Sequence, residues 1–180
     1  MAPCRRVRTR LLADDDLGVS PCWRASPPSG DPGTDPRRTS VTRPPFHLAI
    51  PVDDLAAARA FYGGVLGFPE GRSAPRWADW DMEGHQVVTH VVEGAGASRA
   101  RSNPVDGHEV PVPHFGLVLA VERFGELADR LRAAGTRFVI EPHVRFPGEP
   151  GEQWTMFLLD PAGNALEFKA FADLEQLFAT

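Results

Sequence analysis

The sequence predicts an α+β fold that consists of two successive β-α-β-β-β units. The sequence contains the same order of elements twice: a short apolar segment, a helical stretch and three further short segments, with Gly and Pro turn signals between them. In addition, the string His47–Ile50 matches His114–Leu117 in residue type. Each helix has to cover one face of a small curved sheet. We therefore expect the opposite faces of two neighbouring sheets to line a shared cleft.

The first unit begins with an apolar strand and continues into an Ala-rich helix. Asp53 or Asp54 can cap that helix, and Gly67 ends it. Gly and Pro residues then separate three strand-like pieces. The predicted elements of this unit, 46–93, are a strand over 46–52, a helix over 55–66, and strands over 69–73, 76–82 and 85–92.

The second unit repeats this order after a stretch that is rich in Gly, Ser, Asn and Pro. We interpret that stretch, residues 94–111, as a linker. Phe124, Leu127 and Leu131 then recur at helical spacing. The predicted elements of this unit, 112–171, are a strand over 112–120, a helix over 121–134, and strands over 137–146, 153–159 and 164–170. The tail, 172–180, is predicted to hold a short closing helix.

Composition divides the chain into an extension and a domain. Residues 1–45 are rich in Pro and Arg and poor in apolar side chains, so we expect them to be disordered. The 180 residues carry a net charge of −5, which argues against nucleic-acid binding. The sequence lacks an apolar run long enough for a membrane span, and its two cysteines lie near the N-terminus. We expect a cytoplasmic protein without a disulfide framework.

Strand parity places three polar side chains opposite the bulky apolar ones. Side chains alternate across a strand, so His47, His114 and Glu167 each lie on the face away from the large apolar residues. The neighbours of these three on that face are small: Ala49, Gly116 and Ala165, respectively. Two histidines and one glutamate around a roomy cavity are the ligand set of non-heme Fe(II) sites, and the same set also serves zinc.

Three strings of the sequence carry a resemblance to a known family: HLAIPVDDLAAARAFYGGVLGF, PHFGLVL and FLLDPAGNALEFKAF. The most specific part is DPAGNALE at positions 160–167. On these strings, the chain from Phe46 to Phe171 resembles the vicinal oxygen chelate superfamily of glyoxalase I, bleomycin-resistance proteins and extradiol dioxygenases. The resemblance implies paired βαβββ modules in a curved, barrel-like mixed sheet around a metal-binding cleft. It also implies His47, His114 and Glu167 as the metal ligands.

The number of protein ligands separates the branches of this superfamily. When the last strands of the two units are aligned on the glycines that precede them, Glu167 falls opposite Val88, which cannot bind a metal. The site then has three protein ligands, as in the extradiol dioxygenases that the chain resembles. That resemblance implies Fe(II), with Mn, Ni or Zn as alternatives. A slip of two residues would instead offer Gln86 or His90 as a fourth ligand and favour a glyoxalase-type isomerase or lyase.

Four further residues are candidates for catalysis or substrate binding. His90 and His143 can transfer protons near neutral pH, and Arg145 and Gln153 can bind an anionic or polar part of a substrate. Extradiol enzymes usually offer a tyrosine in the second module, whereas the only tyrosine here, Tyr62, lies in the first helix.

The predicted function is that of a metal-dependent, extradiol-dioxygenase-like enzyme. Its substrate would be a small aromatic or vicinal-oxygen compound, and O₂ is a candidate co-substrate. The alternatives are a glyoxalase-type isomerase or lyase and a metal-free protein that binds small molecules such as drugs. A homodimer is possible, because paired modules can close a cleft within one chain or exchange between chains. In the second case His47 and His114 of different subunits would share a metal.

Overall fold

Ten strands and two longer helices make up the described part of the chain. The structure is a computed structural model, and it describes residues 44–94, 101–105, 107–149 and 151–178. The predicted extension 1–45 lies outside these residues, apart from Pro44 and Pro45. No helix within the described ranges combines the length and the apolar character that a membrane span requires.

Module one has the predicted order of one strand, one helix and three strands. Its elements are β1 (His47–Val52), α1 (Leu55–Ala58, continued in π-helical geometry over Arg59–Val65), β2 (Glu70–Ala74), β3 (Trp77–Met82) and β4 (His85–Val91). Asp54 caps α1, because its carboxylate accepts a hydrogen bond from the main-chain N–H of Ala56 at 2.8 Å. The strand order is β1-β4-β3-β2, with β1 parallel to β4 and the other pairs antiparallel.

A β-hairpin lies between the modules, where the sequence predicted a linker over 94–111. It consists of β5 (Arg101–Val105) and β6 (His108–Val112). Gly107, in the turn, has a φ of 78°, a conformation that glycine adopts without strain. The sequence pattern missed the hairpin because both strands contain a proline, and proline is confined to edge strands and bulges.

Module two repeats the arrangement of module one. Its elements are β7 (His114–Leu119), α2 (Val121–Ala133), β8 (Phe138–Arg145), β9 (Gln153–Leu159) and β10 (Ala165–Phe171), followed by a short 3₁₀ helix over Leu174–Phe178. The strand order is β7-β10-β9-β8, and β7 is parallel to β10. The predicted fold class of two βαβββ modules is therefore confirmed. The single barrel-like sheet is corrected, because hydrogen bonds between the described strands form a separate four-stranded sheet in each module.

One hydrophobic core joins the two modules. Both sheets and both helices contribute to it, and its largest buried side chains include Tyr62, Leu66, Trp80, Leu131, Leu166 and Phe168. The core takes its strand residues from the apolar face of each sheet. Because side chains alternate along a strand, the opposite, polar face of each sheet lies outside this core. His47 belongs to one polar face, and Glu167 belongs to the other.

A buried polar cluster links the modules at the turn between β9 and β10. The Tyr62 hydroxyl on α1 donates to Asp160 Oδ2 at 2.9 Å. The Asp160 carboxylate also accepts hydrogen bonds from the main-chain N–H groups of Ala162 and Asn164, at 2.9 and 2.8 Å. The Asn164 amide donates to Asp160 Oδ2 at 2.7 Å and to the carbonyl of Pro51 at 2.9 Å. The DPAGN segment thus ties module two to the first helix and the first strand of module one.

The environment of this cluster changes the acidity of Tyr62. Burial raises the pKa of its hydroxyl well above the ordinary value, and the charge of Asp160 adds to the effect. An unfolded chain releases this proton at about pH 10, whereas the folded chain retains it to higher pH. The stability that follows from the raised pKa is therefore complete below about pH 10 and is lost as the pH rises further.

Replacing Tyr62 with Phe is expected to lower the free energy of unfolding by about 1–3 kcal/mol at neutral pH, because a buried carboxylate loses one donor. The wild type is expected to lose stability above about pH 10, and Tyr62→Phe should lack this component of the loss. The chain has one tyrosine and one lysine, so few other groups contribute there. Urea unfolding at a series of pH values measures the effect, and equal alkaline losses in both proteins would contradict it.

Candidate metal centre

The register of the central strand pairs places the predicted ligands on the polar faces. Val88 on β4 lies opposite Ala49, two residues after the histidine that begins β1. Glu167 on β10 lies opposite Gly116, two residues after the histidine that begins β7. Residues directly opposite each other point to the same face. Val88 therefore occupies in module one the place that Glu167 occupies in module two.

His114 and Glu167 meet across the parallel pair of β7 and β10. Nε2 of His114 lies 3.1 Å from Oε2 of Glu167. Nδ1 of the same ring lies 2.6 Å from the carbonyl oxygen of Pro111 on β6. A carbonyl can only accept, so Nδ1 carries a proton and donates it to this bond. The ring of Phe157 packs edge-on against the imidazole, with 5.2 Å between the ring centroids.

The other oxygen of Glu167 is satisfied by neighbours on its own face. Its side chain is only 8% exposed, and the hydroxyl of Thr155 donates to Oε1 at 2.9 Å. The ammonium group of Lys169 lies 3.3 Å from the same oxygen. Lys169 is the only lysine of the sequence. The carboxylate is thus held at Oε1 by two donors and presents Oε2 to His114.

His47 lies on the polar face of module one. Its Nδ1 is 2.7 Å from Oε1 of Gln86, the residue directly opposite it on β4. Gln86, which the sequence offered as a fourth ligand, thus contacts His47 through its side-chain oxygen. Among the described residues, no three or more His, Cys, Asp or Glu side chains are grouped so that they could hold a metal ion. The structure brings His114 and Glu167 together and places His47 in the other module.

Rows of side chains run across the polar face of module two. The row next to Glu167 contains His143, Thr155 and Lys169, and the following row contains Arg145 and Gln153. Successive rows on one face are about 7 Å apart. The predicted residues His143, Arg145 and Gln153 therefore share a face with Glu167. His90 lies in module one instead, where it is exposed and lies opposite Pro51 and Trp77.

An irregularity in β8 brings Ile140 onto the face of His143. Strict alternation along the strand would put these two residues, three positions apart, on opposite faces. In the structure Ile140 lies opposite Phe157 and His143 opposite Thr155, with a register shift between the two positions. Phe157 and Thr155 are two residues apart on β9 and share a face, so Ile140 and His143 share it as well. The irregularity in β8 reverses the alternation, which a count of sequence positions does not detect.

Sequence reasoning missed several residues that contact the candidate ligands. Lys169 and Thr155 bind Glu167, and Pro111 binds His114 through its main-chain oxygen. Strand parity does place Lys169 on the face of Glu167, two positions along the same strand, but it does not reveal the contact. Thr155 and Pro111 depend on strand pairing and on the hairpin, and the sequence contains no local signal for either contact.

A cavity lies between β1 and β7, beside the candidate ligand His114. Its volume is about 310 Å³, and its lining includes Ala49, Pro51, Pro113 and Ala165. Ala49 and Ala165 are two of the small residues that share a face with the candidate ligands. The small side chains thus border open space next to the His114–Glu167 pair.

These features define a class of protein that pairs two βαβββ modules and carries potential metal ligands on the first and last strands of a module. The family model of the Glyoxalase/Bleomycin resistance protein/Dioxygenase superfamily matches residues 45–168, and the chain belongs to this superfamily. Members of the superfamily bind small molecules, are often enzymes and typically use divalent metals. No curated protein sequence matches the chain.

Solved structures of the superfamily share the fold. A glyoxalase/bleomycin resistance protein/dioxygenase from Alicyclobacillus acidocaldarius is 32% identical, with a TM-score of 0.61 over 75% of this chain and 96% of that chain. A fosfomycin resistance protein from Listeria monocytogenes is 20% identical, with a TM-score of 0.55 over 72% of this chain and 93% of that chain. A lactoylglutathione lyase from Agrobacterium tumefaciens is 23% identical, with a TM-score of 0.52 over 77% of this chain and 100% of that chain.

The close approach of β7 and β10 beside the ligand pair requires glycine at position 116. A Cβ atom there would overlap the carbonyl group of Glu167. Gly116→Ala is therefore expected to lower the free energy of unfolding by about 1–3 kcal/mol or more, because the two strands would have to separate. Urea unfolding measures the change.

Gly125→Ala is the matched control for this substitution. A Cβ at this position of α2 meets no atom within 4 Å, so the change should raise the free energy of unfolding by about 0.5–1 kcal/mol. Equal effects of the two substitutions would contradict the proposed role of Gly116.

Proposed function

We propose that the protein is a divalent-metal-dependent enzyme that acts on a small molecule with anionic or vicinal oxygen groups. His47, His114 and Glu167 would hold the metal. The observation that carries this proposal is the geometry of one pair. Nε2 of His114 lies 3.1 Å from Oε2 of Glu167, while Nδ1 of the ring donates to the carbonyl of Pro111.

The donor set of this pair fits a metal. With its proton on Nδ1, a neutral imidazole presents a lone pair at Nε2, and a carboxylate oxygen also presents lone pairs. Two such acceptors repel each other at this distance unless the ring is doubly protonated or a cation lies between them. Imidazole nitrogen and carboxylate oxygen are ligands of Fe, Zn, Mn and Ni. Thr155 and Lys169 hold the other carboxylate oxygen, so the orientation of Oε2 is fixed in advance.

A second copy of the chain would supply the third ligand. The apolar faces of both sheets share one core, so the polar faces that carry His47 and the His114–Glu167 pair lie outside it. His47 is exposed in the single chain, and its Nε2 atom is the nitrogen that could bind a metal. A homodimer in which the polar face of module one covers that of module two in the partner would complete the centre, twice in each dimer.

The side chains around Glu167 support an anionic substrate. A bound divalent cation would polarise substrate oxygens and lower their pKa. Lys169 and His143 lie in the next row of the face, about 7 Å along the strands, and Arg145 and Gln153 lie in the row after that. Arg145 and Gln153 would bind the anionic or polar end of the substrate. Ile140 and Phe157, in the row of Glu167, would exclude water from the apolar part of the substrate.

The reaction that we propose is a ring-cleaving dioxygenation of a small aromatic diol, with Fe(II) as the metal and O₂ as the second substrate. The presence of Val88 at the place equivalent to Glu167 supports it, because the centre then has three protein ligands and keeps positions open. His143 would transfer the proton. Its Nδ1 contacts the carbonyl of Glu141 at 2.8 Å, so Nε2 is the nitrogen that can accept one. His90, on the face of module one, is the alternative candidate for this proton transfer.

A glyoxalase-type isomerase or lyase is the second candidate, and one observation favours it. Tyr62, the only tyrosine, is fully buried in the core and donates to Asp160. It therefore does not reach a substrate on the polar faces, although ring-cleaving relatives usually offer a tyrosine there. The third candidate, a metal-free protein that binds a small molecule, would use the same faces without His47, His114 and Glu167 as ligands.

Mixed dimers test whether two chains share the centre. His47→Ala and Glu167→Ala homodimers are each expected to lose the metal. A heterodimer of the two variants, isolated with two different tags, should regain about one metal ion for every two chains, because one of its two sites keeps all its ligands. Metal analysis by plasma mass spectrometry measures this. A heterodimer as poor in metal as its parents would contradict ligand sharing between chains.

Metal identity and O₂ uptake test the reaction. After anaerobic loading with Fe(II), the wild type is expected to hold about one iron per chain, and Glu167→Gln should lose most of it. The control, Glu122→Gln, makes the same chemical change on the exposed surface of α2 and should retain the iron. O₂ uptake with catechols would support the dioxygenase. Preferential binding of Ni, Zn or Mn would favour the isomerase. A wild type that binds no metal would contradict both enzyme functions and favour the metal-free protein that binds a small molecule.

A further inference from the structure

A chain of four polar side chains crosses the sheet of module one and ends at His47. The guanidinium of Arg72 on β2 binds Oδ2 of Asp79 on β3, with both Nε and Nη2 at 3.1 Å. The same oxygen accepts a hydrogen bond from Nε2 of Gln86 on β4 at 3.0 Å. Oε1 of Gln86 lies 2.7 Å from Nδ1 of His47 on β1. Of these four residues, only His47 has a part in the proposed metal binding.

We infer that Gln86 and Asp79 are positioning residues that fix the tautomer of His47, with the proton on Nδ1 and the lone pair on Nε2. The inference rests on the proposed function, in which Nε2 of His47 binds the metal. A metal binds only a nitrogen without a proton, and a neutral histidine can carry its proton on either nitrogen. A partner that selects one tautomer therefore decides which nitrogen can bind.

The direction of each hydrogen bond follows from the charge of Asp79. A carboxylate can only accept, so the NH₂ group of Gln86 must face Asp79. The amide is then oriented with its oxygen toward His47, and an amide oxygen can only accept as well. Nδ1 of His47 must therefore carry the proton. The reversed amide would place its oxygen against the buried carboxylate, where two acceptors repel each other, and its NH₂ group against Nδ1 of His47, which would select the other tautomer.

The position of Asp79 makes this control effective. Its side chain is only 10% exposed, whereas that of Arg72 is 79% exposed, so the carboxylate is buried and the guanidinium covers it from the solvent side. Asp81, the other carboxylate near Gln86, accepts a hydrogen bond from the main-chain N–H of Gly84 at 2.6 Å. It serves the turn between β3 and β4.

Module two reaches the same result in a different way. Ala165 lies opposite His114, at the position that Gln86 has opposite His47, and alanine offers no acceptor. There the carbonyl of Pro111 on the hairpin holds Nδ1 instead. Both histidines thus have Nδ1 bound to an acceptor. This common outcome from unrelated partners indicates a requirement of the site, since the packing of either sheet alone would not produce it.

The tautomer is measured by nitrogen-15 and carbon-13 NMR of the imidazole rings in the metal-free, full-length protein, in mildly alkaline solution. His47 is assigned by its absence from the spectrum of His47→Gln. The wild type is expected to show the Nδ1–H form of His47 almost exclusively. Gln86→Met, which removes both polar ends of the amide, should give the mixture of tautomers that a free imidazole shows. Asp79→Asn, which removes only the charge that sets the direction, should shift the ratio the same way.

Zn²⁺ affinity gives the second readout. Gln86→Met and Asp79→Asn are expected to weaken Zn²⁺ binding by about 10–100-fold, the usual effect of losing a partner of a metal-binding histidine. Gln176→Met is the matched control, because the oxygen of Gln176 also accepts a hydrogen bond, from Gly151, but it does not contact His47. This variant should leave the tautomer and the affinity unchanged.

An Nε2–H form of His47 in the wild type would overturn the inference, and so would an unchanged tautomer in both variants. Because Asp79→Asn preserves shape, failure of Gln86→Met to fold would still leave the inference testable. The tautomer is read without metal, so a protein that binds no Zn²⁺ would contradict the proposed function while the NMR result still decides the tautomer.

Discussion

The carboxylate of Asp160 is the group on which the arrangement of the two modules depends. It is buried, and it accepts hydrogen bonds from α1, from its own turn and from the amide of Asn164, which in turn binds the first strand of module one. A buried carboxylate is unfavourable unless its lone pairs are satisfied, so these donors have to remain in place together. The modules consequently have one relative position. It closes the shared core and turns the polar face of each sheet outward.

Within each module, the parallel pairing of the first and last strands brings the chemistry together. In module two it places Glu167 beside the strand that His114 begins, and the absence of a side chain at Gly116 lets the strands approach. In module one the same pairing gives Val88 at the equivalent place and sets Gln86 beside His47. One duplicated architecture therefore yields two unequal halves, one with a carboxylate near its first histidine and one with an amide in contact with its first histidine.

The sequence predicted the parts of the fold that depend on local alternation. The polar and apolar faces of β1, β7 and β10 follow from a period of two along regular strands. The order of elements follows from apolar segments and turn signals, and the equivalence of Glu167 with Val88 follows from the glycine that precedes the last strand of each module. The prediction from the sequence failed where the alternation along a strand is interrupted. Proline masked the hairpin, and the irregularity in β8 put Ile140 on the face of His143. The contacts of Asp79 and Thr155 with the site residues depend on which strands are neighbours, and one strand does not record its neighbours.

The two histidines differ in the kind of atom that holds them, and this difference affects how the site can evolve. Pro111 holds His114 through a main-chain oxygen, which any amino acid at that position would provide. Gln86 holds His47 through a side chain, which a single codon change removes. Mutations of Pro111 therefore preserve the contact with Nδ1 of His114, whereas mutations of Gln86 remove the contact with Nδ1 of His47. Under the proposed function, a lineage of such proteins would change its metal preference, or lose metal binding, through module one while it conserves the His114–Glu167 pair.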